Sequence, residues 1–164
     1  GPVSVDEVLT DQSLLGIRGG SARNPGWVAI AWSDADDPSP EGDGSWLVDT
    51  FVAWGKPGRS AVKQVSLVVR LEGSDAEGFA ERYRRHALVA QTHHGMARYV
   101  QNPVIDGPPG VDAVSELCFA SEGSWVDDFY LLADSAEVVR KDVRGFIDLR
   151  STSSALVAEK VLRP

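Results

Sequence analysis

The chain has 164 residues, 43% hydrophobic and 24% charged, which is enough apolar material for a core without disulfides or a structural metal, in one domain with at most an extension. A formal net charge of −8 argues against a nucleic-acid phosphate backbone as partner. A lone cysteine, Cys118, excludes an intrachain disulfide and fits a reducing, cytoplasmic setting, and no apolar run or signal-peptide pattern calls for a membrane.

In chain order, two apolar runs come first, 27–32 and 46–54, and both read as strands. The Asp-, Pro- and Gly-rich stretch between them, 33–45, predicts a long exposed loop, mobile over 34–44. The stretch Gly55-Lys56-Pro57-Gly58-Arg59-Ser60 has linker composition and divides the chain into an N-terminal extension, residues 1–60, and a domain, residues 61–164. Two strands cannot bury both faces alone, so the extension packs on the domain or is a degenerate half-domain.

The domain is more regular. Residues 65–71 read as a buried strand, and Ser74-Asp75-Ala76-Glu77 has capping-box form, opening a helix to about His93 that Gly95 ends in the left-handed conformation. Residues 98–105 and 111–120 read as strands joined through Asp106-Gly107-Pro108-Pro109-Gly110. Trp125, Phe129 and Leu132 recur at helical spacing; Asp134-Ser135-Ala136-Glu137 caps a further short helix that Gly145 stops; residues 154–162 form a last strand. The order is β-α-β-β-α-β, an α+β ferredoxin-like antiparallel sheet. Its first and last strands are apolar on both faces, so the face without helices needs a covering sheet, from a second subunit or from the extension. A symmetric homodimer is the default.

Phe79, Tyr83, His86, Ala90 and His93 form one stripe of the long helix and face the sheet, with His94 rotated about 100° away. An inward His86 suits proton transfer, and its alternative is a hydrogen-bonded core histidine. His93, near the helix end, is a candidate substrate contact or a solvated residue. Tyr83 and Tyr99 offer phenolic hydroxyls to a substrate carbonyl, or pack as amphipathic core residues. Glu116 offers a buried carboxylate that shuttles protons, against a partnered or solvent-facing acid. Phe79 on the stripe and Trp125 are candidate substrate-wall residues, Trp125 having the core as its alternative. Asp142, four residues after Val138, has an inward position as its alternative but reads as a surface residue. Cys118, mid-strand among apolar residues, stays protonated. Three histidines without ligand spacing imply no metal, and Asp34-Ala35-Asp36-Asp37 lacks the pattern of a calcium loop. No nucleophile elbow, dinucleotide turn or phosphate loop is present in the sequence.

Tyr83-Arg84-Arg85-His86-Ala87-Leu88-Val89, Gly95 nine positions after the histidine, Arg98-Tyr99-Val100-Gln101-Asn102, Asp112-Ala113-Val114-Ser115-Glu116-Leu117-Cys118-Phe119 and Val143-Arg144-Gly145-Phe146-Ile147-Asp148 together resemble the EthD-like family of dimeric α+β barrel proteins. The likeness runs from Lys63 to the C-terminus. It departs at Pro103, where the family commonly has a histidine. The resemblance implies a homodimeric barrel, no cofactor, and a small apolar organic molecule as partner. It also implies lyase, cyclase or isomerase chemistry on an aromatic or polyketide-like ring, with a non-catalytic binding or stress-related module as the alternative.

Overall fold

The computed structural model describes residues 3–17, 25–37 and 42–162. Its element order is β1 (Ser4–Val8), α1 (Ser13–Ile17), β2 (Ala29–Trp32), β3 (Leu47–Val48), β4 (Phe51–Trp54), β5 (Val62–Val68), α2 (Ala76–His93), β6 (Arg98–Asp106), β7 (Ala113–Phe119), α3 (Glu122–Asp127), α4 (Ser135–Val143) and β8 (Ser153–Val161). The described strands form one curled antiparallel sheet, a half-barrel, in the order β2-β1-β8-β5-β7-β6-β3, with β4 also on β6. The central four, β8-β5-β7-β6, come from residues 61–164 and are compatible with a ferredoxin-like arrangement.

The described residues among the first 60 extend the same sheet. They add β1 and β2 beside β8 at one edge of the sheet, and β3 and β4 beside β6 at the other. Gln12 reinforces the first junction: its amide donates to the Leu156 carbonyl at 2.9 Å and accepts from the Leu156 N–H at 2.8 Å, copying a strand partner. The strand expected over 27–32 is confined to Ala29–Trp32, and the one expected over 46–54 is broken at Asp49 and Thr50. β1 and α1 had no counterpart in the sequence reading. The expected mobility of 34–44 falls partly on residues 38–41, which lie outside the described residues.

Residues directly opposed in a ladder share a face. Tyr99 opposes Leu117, and Gln101 opposes Ser115; these lie under α2. Val100 opposes Glu116, Glu116 opposes Val65, and Val65 opposes Ala155; these lie on the inner face of the curl. The helix side is closed by two apolar clusters. One joins Phe119, Trp125, Phe129, Ala90 and Leu15; the other joins Phe79, Tyr83, Phe146 and Val68. The inner face is closed within the chain: Val65, Val114 and Val157 are covered by Val8, Trp27, Ile30 and Trp32 of the extension. The extension therefore supplies the cover that a second subunit was the default to provide.

Several local expectations shift by a residue, with a physical reason. The cap of α2 is Asp75, whose carboxylate accepts the Gly78 N–H at 2.7 Å, while the Ser74 hydroxyl turns back to the Leu71 carbonyl. Gly95 has no positive φ; it is small because a Cβ would lie 2.5 Å from the Asp128 carbonyl oxygen. Gly107 does need its freedom, with φ of 145° and Trp46 packed where a Cβ would stand. The helix begun by Trp125 stops at Asp127, so Phe129 reaches the core from a turn and Leu132 stays exposed. Asp134 makes no side-chain cap to α4. No helix among the described residues is long and apolar enough to cross a membrane.

Candidate functional site

Of the stripe on α2, Phe79, Tyr83, His86 and Ala90 are buried as its spacing predicts, together with Ala87, while His93 near the helix end is half-buried. His86 points at the seam with α4, where Asp142 Oδ2 lies 2.6 Å from His86 Nδ1. The other oxygen of that carboxylate accepts from Arg82, one turn before His86 on the same helix. The three make a chain, Arg82–Asp142–His86. Burial pushes the Asp142 carboxyl up, but hydrogen bonds from Arg82 and His86 outweigh it and leave Asp142 below its ordinary value. Burial holds His86 below the usual histidine value of 6.5, with Asp142 opposing in part. Near neutral pH the ring is therefore uncharged, Nδ1–H donates to an ionised carboxylate, and the Nε2 lone pair is left without a partner among the described residues. His86 keeps a narrow exposed edge, 6% of its surface.

Aromatic rings wall this histidine. The Tyr99 ring meets it edge-on at 6.4 Å and the Phe146 ring at 5.6 Å. Phe146 stacks in turn on Phe79 and Tyr83 and carries the Arg82 guanidinium over its face at 4.8 Å. Burial pushes the Tyr99 phenol up to about 12 and raises Tyr83 well above its ordinary value, so both remain protonated donors at neutral pH. Gln101 donates to Tyr99 Oη at 3.2 Å. The buried Tyr83 hydroxyl makes no hydrogen bond of good geometry with the nearby Tyr99 and Ser115 hydroxyls.

The sequence grouped Glu116 with these residues, and the sheet separates them. Glu116 opposes Val100, whereas Tyr99 and Gln101 point the other way, so Glu116 lies across the sheet from His86. There it accepts from Lys63 at 2.8 Å and from Asn102 at 3.1 Å, which makes it a partnered acid. His93 Nδ1 lies 2.8 Å from the Ser135 hydroxyl, which also accepts the Leu132 N–H; the pair ties α2 to the start of α4. His94, expected to point elsewhere, is buried. Its Nδ1 donates to the Phe129 carbonyl at 2.6 Å, and its ring packs on Phe129 and Tyr130. Trp125 is fully buried, with its indole N–H on the Leu14 carbonyl, and Phe79 sits in the second apolar cluster; both belong to the core, not to an open wall.

No protein-family model matches this chain, and no curated protein matches it.

The residue that the sequence undervalued is Asp142. Its position four residues after Val138 on α4 is a periodicity signal for an inward side chain, and Arg82 at one turn from His86 is the matching signal on α2. Neither shows that the two helices pack against each other. His86 lines neither of two surface recesses. One, of about 570 Å³, lies at the end of the sheet between Arg70–Ser74 and the hairpin 104–112. The other, of about 300 Å³, opens beside Lys63, Glu159 and Arg59. No group of three or more metal-ligating side chains occurs among the described residues.

Proposed function

We propose that the protein is a cofactor-independent proton-transfer catalyst, a lyase, cyclase or isomerase, acting on an apolar ring that carries oxygen. The observation that supports this reading is the His86 imidazole, anchored at Nδ1 by Asp142 and unpartnered at Nε2. Such a ring is a general base of fixed tautomer: Nε2 takes a proton from carbon next to a carbonyl, and the ionised Asp142 stabilises the resulting imidazolium. Protonated Tyr99 and Tyr83 are the neighbouring donors for the carbonyl oxygen. The likeness of residues 63–164 to EthD-like dimeric α+β barrels is part of the same proposal, and so is a homodimer; light scattering tests the latter.

The test is turnover of oxygenated ring compounds chosen from the gene neighbourhood. His86→Ala is expected to lower turnover by roughly two to four orders of magnitude with the fold retained. The acid limb of the rate profile is expected below the usual histidine value of about 6.5, because burial favours the neutral ring. Full activity in His86→Ala would exclude the reading.

One observation favours a second reading. His86 borders neither recess and packs against Tyr99 and Phe146, as a residue tying two helices together would. On that reading His86 is a structural tie and the protein is a purely structural dimer. No ring compound would then bind or turn over, and His86→Ala would lower stability alone.

A further inference from the structure

The inner face of the half-barrel holds a second polar cluster, on the opposite side of the sheet from His86. Lys63 of β5 is 3% exposed and directs its three N–H bonds to three different strands. They reach Asp6 Oδ2 of β1 at 3.0 Å, Glu116 Oε2 of β7 at 2.8 Å and Glu159 Oε1 of β8 at 3.0 Å. Trp32 of β2 donates its indole N–H to the same Asp6 Oδ2 at 2.7 Å. Asp6 is completely buried, and its Oδ1 has no hydrogen-bond partner.

One ammonium thus faces three carboxylates. If all four were ionised, the cluster would carry a surplus of two negative charges in a region mostly shut off from water. Burying uncompensated charge costs several kcal/mol, roughly, and a proton is the smallest species that removes it. Among the described residues the other cations near the cluster make no ion pair with it: Arg98 of β6 sits across Cys118 from Lys63 in the ladder, and Arg59 lies at the rim of the neighbouring recess. The geometry also indicates where the proton resides. Glu116 has both oxygens occupied, by Lys63 and Asn102, and Glu159 is partly exposed. Asp6 alone is fully buried with one oxygen occupied and one bare. Desolvation, the largest influence on Asp6, favours its neutral form over the opposing pull of Lys63 and Trp32, and Glu116 acts in the same direction as desolvation.

Asp6 is also the residue through which the N-terminal arm enters this cluster, since β1 ends at Val8 and β2 at Trp32, well before β5 begins at Val62. We propose that a proton held on Asp6 Oδ1 sets how firmly the arm β1–β2 docks across the inner face, so that the arm is a pH-sensitive strap. The direction follows from linkage. The docked arm binds the proton more tightly than the released arm does, so docking is strongest in acid. It weakens as pH rises from the ordinary carboxylate value through the raised value of docked Asp6.

The experiment is amide hydrogen exchange of β1 and β2 in the whole chain against pH, corrected for intrinsic exchange, together with infrared detection of a protonated carboxyl. In the unaltered protein, protection of β1 and β2 relative to β5 and β7 is expected to fall as pH rises, up to roughly tenfold per unit by which docking raises Asp6. The infrared band of a protonated carboxyl is expected to fade over the same range. Asp6→Asn, which is neutral at every pH, should keep the arm docked, flatten the profile and abolish the band. Glu159→Gln removes one rim carboxylate and should move the midpoint to lower pH, which keeps the proposal testable if Asp6→Asn does not fold. A flat profile in the unaltered protein, or an Asp6→Asn or Glu159→Gln profile identical to it, overturns the proposal.

Discussion

The two faces of the sheet solve the same problem, a buried acid, in opposite ways. Under the helices, Asp142 receives two donors, Arg82 and His86, and burial is outweighed, so the acid stays ionised. On the inner face, Asp6 shares one lysine with two other carboxylates, and burial wins, so the acid is pushed toward its neutral form. Asp142 is also the less buried of the two, with 16% of its side chain exposed against none for Asp6. The balance of desolvation against donors and neighbouring charges therefore sets the state of each carboxyl, and both follow from which strands and helices meet.

The largest expected effect separates the two faces by removing the cation from each. Lys63→Met takes away the one ammonium that three carboxylates share, and is expected to lower stability by about 3–5 kcal/mol in urea denaturation. Arg82→Ala leaves Asp142 partly solvated and still bonded to His86, and is expected to cost about 1–2 kcal/mol. Equal losses in the two variants would break the comparison. A smaller effect sharpens it. His86, held below its ordinary value, contributes stability that is complete above about pH 6.5 and is lost as pH falls through its lowered folded value. The Asp6 contribution runs the other way and is lost as pH rises. Melting curves across pH should therefore lose their His86-dependent acid slope in His86→Gln while the Asp6-dependent slope remains. A variant that loses both slopes would mean that the faces are coupled through the sheet.

Much of the helix face was legible beforehand. The stripe of Phe79, Tyr83, His86 and Ala90 follows from a 3.6-residue period, which a helix imposes whatever it packs on. The strands of residues 61–164 appear within a few residues of their expected bounds, because β-branched runs flanked by Gly, Pro and Asp carry their own signal. The inner face was not legible. β1, Ser-Val-Asp-Glu-Val, is short and has an acid at its innermost position, so its pattern reads as solvent-facing. It is a strand because β8 offers it an edge. For want of register, Glu116 stayed open between a proton carrier and a partnered or solvent-facing acid; the ladder puts it on the face away from His86, where it is partnered.

By itself, the sequence determined the periodic features: which side of α2 is apolar, where chain reversals such as Gly107 must fall, and that one cysteine leaves no intrachain disulfide. Only the tertiary structure decided which charges meet. Lys63 reaches Asp6 across 57 positions of sequence, and His86 reaches Asp142 across 56. The physical reason is range. Backbone sterics and helical or strand period act between near neighbours, whereas desolvation and charge pairing depend on whatever the fold packs within a few ångströms.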